Sequence, residues 1–184
     1  MNEFEVQPET TRGRVIYRLL LRVHAAIRSD LEHVERLAAQ ALEGLPAEEL
    51  TQQLEELKRN GMLWRLRVDC LRYCYFVHSH HNAENVMFFP ELRATNPAID
   101  PVIDRLEADH RRVSHQLDQV EEAAQALAGD DGDSARQAVA GALRILGESL
   151  LAHLDYEERN LQTTVLRLRD FGQPAETGAL DGAT

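Results

Sequence analysis

Residues 12–43 read RGRVIYRLLLRVHAAIRSDLEHVERLAAQALE, and this stretch carries the clearest sign of the fold. Apolar side chains recur in it every three to four positions, at Ile16, Leu20, Val23, Ile27, Leu31, Val34, Ala38 and Leu42. This period is that of an amphipathic α-helix with one buried face. The stretch therefore predicts a first helix of roughly 30 residues.

Three later stretches repeat this period and predict three more helices. The second begins at Met62 and must end by Pro90, because proline interrupts helical hydrogen bonding. The third covers Val102–Leu127, and the fourth covers Ser134–Leu168. Turns rich in Asn, Asp, Gly and Pro separate them. Four long helices with short connections predict an all-α, antiparallel up-down-up-down four-helix bundle.

The segments outside these helices set the domain boundaries. Residues 47–59 predict a short, charged extra helix between the first and second helices, which Asn60-Gly61 closes. We assign residues 1–11 to an N-terminal tail and residues 12–168 to the bundle. Residues 169–184 are rich in Gly, Ala and acidic side chains and predict a disordered C-terminal tail.

Charge and cysteine content exclude several classes of partner. A formal net charge of -11 repels nucleic acid and anionic membrane surfaces, so we expect neither as a partner. The chain shows neither a membrane-spanning run nor a signal peptide, and its two cysteines favour the reducing cytoplasm. Cys70 and Cys74 stand one helical turn apart, and they are either small core residues or a thiolate pair for a metal.

The histidines carry the chemistry of this sequence. Those on apolar seams are His24, His80, His110 and His153, whereas His33 and His115 fall on polar faces. Glutamate follows two of the seam histidines by four residues, which places an imidazole and a carboxylate side by side on one helix face. Such a pair is weak evidence on its own.

The position of these residues along the bundle strengthens the case. Counted from one end of the bundle, each seam histidine lies about 9 to 15 residues along its helix, so all four share one layer within the error of helix boundaries. Buried, unpaired charges cost several kcal/mol, a cost that metal coordination removes. The sequence therefore predicts a metal site that consists of His24, His80, Glu84, His110, His153 and Glu157. Six such ligands suit two ions of iron, manganese or zinc bridged by the carboxylates.

Two ligands have close competitors. His81 shares a face with Val77 and can replace His80, but the spacing of His80 to Glu84 is repeated in the fourth helix. We therefore expect substitution of His81 to disturb the site less than substitution of His80. Glu158 lies about 140° from His153 on the helical wheel, whereas Glu157 lies about 40° away. We favour Glu157 as the bridge and expect Glu158 to face solvent.

The ordered pattern H…HxxxE…H…HxxxE resembles the hemerythrin HHE cation-binding family over roughly residues 12–168. The residues that carry it are His24, His80-His-Asn-Ala-Glu84, Asp109-His110 and His153-Leu-Asp-Tyr-Glu157. The resemblance implies two non-haem iron ions, oxo- or hydroxo-bridged, with both glutamates as bridges. A ferritin-like di-iron bundle fits less well, because only Glu107-Ala-Asp-His110 provides its ExxH pair.

One position departs from the oxygen-carrying hemerythrins, which place a second histidine one turn after the third-helix ligand. This chain has Ser114 there, and His115 is rotated about 100° away. Four imidazoles then leave about one more coordination position open than in the carriers, which argues against reversible oxygen carriage.

The resemblance implies a role in oxidative or nitrosative stress. We expect the site to bind peroxide, oxygen or nitric oxide and to turn it over with catalase-like or peroxidase-like activity. Tyr156 is a candidate catalytic residue that can supply a proton or hydrogen bond, or else an amphipathic edge residue. The alternatives are a non-catalytic module that senses or binds iron or oxygen, and a structural zinc site.

Overall fold

A computed structural model describes residues 8–43, 52–127 and 132–169, with side chains described for 8–42, 65–127 and 132–169. In chain order, its α-helices are α1 (Thr11–Glu43), α2 (Gln52–Ala83), α3 (Phe89–Thr95), α4 (Asp100–Ala126) and α5 (Asp133–Leu166). A π-helical turn, Glu84–Phe88, joins α2 to α3, and a 3-10 turn, Pro97–Ile99, leads into α4. None of the described helices is both long and apolar enough to cross a bilayer.

Hydrogen bonds between helices show that neighbours run antiparallel. The backbone N–H of Thr10, before α1, donates to the carbonyl of Leu166 at the end of α5 over 2.8 Å. At the other end of the same pair, Arg136 donates to the carbonyl of Ala41. The predicted four-helix bundle is confirmed, with α2 packed between α1 and α4, and α5 closing the ring.

A polar layer divides the apolar core into two clusters. The larger cluster is built around side chains such as Ile27, Val77, Val113, Leu117, Leu150 and Leu154. The smaller cluster contains Phe89, Leu92, Ile99, Ile103, Leu106, Leu161, Val165 and Leu168. Between them, each long helix contributes buried polar residues to the core, which positions the site at one level of the bundle.

The second α-helix ends at Ala83, before Pro90 as predicted, but helical turns continue through Pro90 to Thr95, which the sequence did not predict. The N–H of Phe89 donates to the carbonyl of Glu84, which is the i to i-5 bond of a π turn. Pro90 then lies in the first turn of α3, a position at which proline is common. The wider turn returns Phe89 and Leu92 to the core, whereas Met87, which the α-helical period places on the buried face, is 69% exposed.

The predicted separate helix before the second helix is also wrong where the chain is described. Helix α2 begins at Gln52 and passes through Asn60 and Gly61 without a break. A glycine inside a helix costs only about 1 kcal/mol, which a long helix can offset. Residues 47–51 of that prediction lie outside the described residues, as do 1–7 and 170–184 of the predicted tails.

Candidate metal centre

Five histidines and two glutamates converge in the polar layer. Their ligand atoms form two groups, and within each group these atoms lie within 4.8 Å of one another. One group, which we call the three-histidine group, contains His81, His110 and His153. The other, the mixed group, contains His24, His80, Glu84 and Glu157. All six side chains chosen from the sequence are therefore brought together, and His81 joins them.

The carboxylate of Glu84 lies between the two groups. Its Oε1 is 3.3 Å from Nε2 of His80, one turn away in α2. Its Oε2 is 3.5 Å from Nε2 of His110, the member of the three-histidine group that lies on α4. One carboxylate thus faces an imidazole of each group.

Glu157 occupies the corresponding place on α5. Its Oε2 lies 3.6 Å from Nε2 of His24 and 3.5 Å from Nε2 of His153. Glu84 and Glu157 therefore both lie between imidazoles of the two groups.

His80 and His81 both point into the layer, although the sequence presented them as alternatives. The ring of His81 stacks on that of His110, with centroids 4.0 Å apart and planes 11° from parallel. The ring of His80 instead meets that of His24 edge-on at 5.2 Å. Neighbours on a helix point about 100° apart, so the two rings can serve different groups.

Burial raises the pKa of both bridging carboxyls. For Glu84 the main cause is loss of solvation, and the nearby charge of Glu157 adds to it. For Glu157, which is fully buried, loss of solvation again dominates. Without a cation, these side chains favour the protonated, neutral form.

Burial also lowers the pKa of every histidine in the layer. The pKa falls to about 3 for His80 and to about 4 for His110, where the charge of Arg111 contributes as well. The pKa values of His24, His81 and His153 are lowered for the same reason, loss of solvation. Neutral imidazoles are the form that binds metal ions.

Several buried polar atoms of this layer lack hydrogen-bond partners. Among the described residues, they include Nε2 of His24, His80 and His81 and both carboxylate oxygens of Glu84 and Glu157. An unsatisfied buried polar group costs about 1 to 3 kcal/mol. Cations in the layer would satisfy all of these atoms at once, and imidazole with carboxylate is a donor set that suits iron, manganese or zinc. The residues fit a pair of such ions.

Glu158 was expected to face solvent, but its carboxylate contacts α1 instead. Its Oε1 lies 2.9 Å from Nδ1 of His24 and accepts a hydrogen bond from Arg28 over 2.7 Å. The rotation of about 140° away from His153 turns Glu158 toward α1. Its carboxylate therefore orients the imidazole of His24 so that Nε2 faces the layer.

Two more polar residues lie beside site histidines, and the sequence predicted neither contact. Oδ1 of Asn85 lies 2.8 Å from Nδ1 of His110, within hydrogen-bonding distance. Oδ2 of Asp109 lies 3.9 Å from Nδ1 of His153, too far for a hydrogen bond, and Arg112 pairs with the other oxygen of Asp109. The position of Asn85 and Asp109 directly beside a site residue was the only signal for them.

Tyr156 lies at the edge of the smaller apolar cluster. The guanidinium of Arg105 sits 3.7 Å from its ring centroid, so the ring is covered by a cation. The side chain is half-buried and packs against the cluster. This packing favours the amphipathic interpretation over a catalytic one.

Cys70 and Cys74 lie in the larger apolar cluster and not in either metal-binding group of the described residues. Burial raises the pKa of the Cys70 thiol to about 12, and that of Cys74 is raised too. The Cys74 thiol donates to the carbonyl of Leu117. Both behave as small core residues.

Comparison with known proteins agrees with this geometry. The model of the hemerythrin HHE cation-binding domain matches residues 15–165, most of the chain. The chain belongs to this family. Searches of curated proteins and of solved structures gave no significant match. Family membership and the His/Glu groups together support metal binding by this hemerythrin-like domain.

The structure revises the expected number of imidazoles in this hemerythrin-like domain. Ser114 stands where oxygen-carrying hemerythrins have a further histidine, and the sequence therefore predicted four imidazoles. The structure instead brings a fifth imidazole, that of His81, to the three-histidine group from α2. The coordination position expected to open is one that His81 can occupy.

Proposed function

We propose that this hemerythrin-like domain holds two iron ions and that the di-iron centre binds and turns over peroxide, oxygen or nitric oxide. The observation that carries the proposal is the placement of Glu84 and Glu157, each between imidazoles of both groups. A single structural ion would not need two carboxylates that face both groups.

The chain's own residues have defined parts in this proposal. His24 and His80 would hold one ion, His81, His110 and His153 the other, and the two glutamates would hold both. When bound, the iron pair supplies redox chemistry for small oxidants and a binding position for nitric oxide. The apolar clusters on both sides restrict access of water to the layer.

Catalase-like disproportionation is the reaction that requires nothing beyond peroxide. One hydrogen peroxide is reduced to two waters while a second is oxidised to oxygen, so electrons and protons balance without another reductant. Asn85 and Glu158 would keep the imidazoles of His110 and His24 in place throughout the cycle.

Metal content tests the first part of the proposal. Protein purified in air should contain two irons per chain and absorb in the near ultraviolet, which zinc does not. Replacing His110 or His153 by alanine should lower the iron content to one or none. Replacing His115, which is exposed on the same helix as His110, is the matched control and should leave both irons. Full occupancy in the His110 and His153 variants would remove them from the site.

Peroxide consumption tests the second part. The iron-loaded chain should release one oxygen for every two peroxides, and the His153→Ala variant should not. If the chain holds two irons but does not consume peroxide, oxygen or nitric oxide, the non-catalytic sensing or binding module is the better description. A colourless protein that contains only zinc would instead support the structural role.

The remaining expectations form part of the same proposal. Small oxidants or nitric oxide are the proposed partners, and the net charge of -11 argues against nucleic acid and anionic membrane surfaces. The two buried, free thiols suit the reducing cytoplasm, where we place the protein.

A further inference from the structure

Two clefts reach the polar layer from different sides. The first, which we call the polar cleft, lies between α2 and α4 and has a volume of about 470 Å³. His81 and His110 form part of its lining, so it reaches the three-histidine group. The second, the apolar cleft, lies between α1 and α2, has a volume of about 190 Å³, and reaches His80 and Glu84.

Hydrogen-bonding side chains surround the polar cleft. Besides the two site imidazoles, its lining includes His78, Asn82, Asn85, Glu107, Arg111 and Ser114. Such a wall can solvate a small polar molecule on its way to the layer. The apolar cleft instead has walls of aliphatic and aromatic side chains, among them Leu19, Leu20, Val23 and Phe88. It offers few hydrogen bonds to a polar solute.

Glu107 and Arg111 carry opposite charges on the wall of the polar cleft. Arg93 lies 3.5 Å from Glu107, but it lies closer to Asp100 and Asp104, so its charge is shared among three carboxylates. Arg111 is exposed and pairs with no carboxylate among the described side chains. A guanidinium without a carboxylate partner favours solutes that accept hydrogen bonds or carry negative charge.

The lining of the polar cleft includes two nearly buried imidazoles of the three-histidine group. His81 is 5% exposed and His110 is 3% exposed. A polar solute that passes along the cleft therefore reaches this group at the buried end of the cleft. Ser114 lies on the wall, half-buried, with a small side chain that leaves the passage open.

We propose that the polar cleft is the route by which hydrogen peroxide and other small, hydrogen-bonding solutes reach the three-histidine group. This inference rests on the proposed function for its physiological solute, but access through the cleft can be measured without iron. The apolar cleft provides the comparison, because it reaches the other group through walls of opposite character.

Thiol labelling of the full-length chain tests access independently of metal. Ser114→Cys and Asn82→Cys place a thiol on the wall of the polar cleft, and Gln119→Cys, exposed on α4, is the matched control. The native cysteines are buried and set a low background. We compare the rates of labelling by a sulfonate-bearing methanethiosulfonate and by its trimethylammonium counterpart. The ratio of these two rates should be about threefold higher for the cleft thiols than for the control, and Arg111→Gln should remove that difference.

Blocking each cleft tests whether peroxide uses this route. After iron loading, modification of the Ser114→Cys thiol should slow the peroxide-induced change in absorbance by about tenfold and leave nitric oxide binding little changed. Modification of a Val23→Cys thiol in the apolar cleft should not slow the peroxide reaction. Equal peroxide rates before and after modification at position 114, or equal slowing by both blocks, would overturn the proposal.

The two proposals fail in different ways. If the unmodified chain holds no iron or does not react with peroxide, the proposed function fails. The polar cleft is then judged by labelling alone: absence of the charge preference, or its persistence in Arg111→Gln, rejects it as a route for polar solutes, and its presence supports it.

Discussion

Oε1 of Glu158 lies 2.9 Å from Nδ1 of His24, and the same oxygen accepts a hydrogen bond from Arg28. The His24 tautomer that donates its Nδ1 proton to Glu158 leaves Nε2 free to face Glu157 and a metal ion. A residue expected on the surface therefore fixes the orientation of a ligand candidate.

Removing this carboxylate should weaken metal binding without emptying the site. Glu158→Ala should lower the affinity for a probe such as Co²⁺ by about 10- to 100-fold, the usual effect of losing a partner that orients a ligand. Glu158→Gln retains an acceptor and should restore part of the affinity. Glu148→Ala removes an exposed carboxylate that pairs with Arg144 on the same helix and is the control. Equal affinities for Glu158→Ala and Glu148→Ala would contradict the role.

His81 should matter to the metal centre as much as His80. Each ring lies in a different group, so His80→Ala and His81→Ala should each reduce the metal content by about one ion, measured by elemental analysis. His78→Ala changes a neighbouring histidine that is not in either group and should bind both ions. If His81→Ala keeps full metal content while His80→Ala loses metal, the preference drawn from the sequence is correct and the fifth imidazole is not a ligand.

The metal-free chain should lose stability in both directions from mildly acidic pH. Because the pKa values of the site histidines are lowered in the folded chain, the unfolded chain binds protons at a higher pH than the folded chain does. The free energy of unfolding therefore falls as pH drops below about 6.5. The raised pKa values of Glu84 and Glu157 contribute stability below about pH 4.5 that is lost as pH rises through their folded pKa values.

Glu157→Gln isolates the second effect, because glutamine imitates the protonated carboxyl. In urea unfolding of the metal-free protein, this variant should gain on the order of 2 kcal/mol relative to the native chain at pH 8, and much less at pH 5. Glu148→Gln, at an exposed position, should show no such pH dependence. An equal gain at both pH values would mean that ionisation of Glu157 does not destabilise the fold.

The contact between the start of α1 and the end of α5 should require glycine at position 13. A Cβ atom built there would collide with backbone atoms of Val165 and Leu166, which cannot move as a side chain can. Gly13→Ala should therefore lower the free energy of unfolding by about 2 kcal/mol or more. Gly141→Ala, on α5 with no neighbour within 4 Å of the added atom, should instead gain up to about 1 kcal/mol. Equal stability of the two variants, measured by thermal unfolding, would show that the helices separate at little cost.

Helical periodicity in the sequence was sufficient to predict the bundle and the layer in which its histidines meet. A stripe of apolar residues must be buried against neighbouring helices. A polar residue within the stripe, such as His24 or His110, is therefore buried too, whichever helices pack against it. The spacing of four residues after a seam histidine predicted Glu84 and Glu157, and the structure buries both beside those imidazoles. Their role as ligands stays a prediction.

Helix packing decided what periodicity could not. A helical wheel gives the direction of a side chain about its own axis but not which neighbour it meets, so Glu158 was assigned to solvent although it contacts His24 on α1. A helical wheel also made His80 and His81 alternatives, because adjacent side chains point in different directions. The layer is wide enough to receive both. The π turn after Glu84 shows the same limit, because burial of Phe89 and Leu92 favours a wider turn that a uniform α-helical period does not contain. The sequence by itself determined which faces of the four helices turn inward, because apolar stripes must be buried, and the tertiary structure determined which side chains meet there.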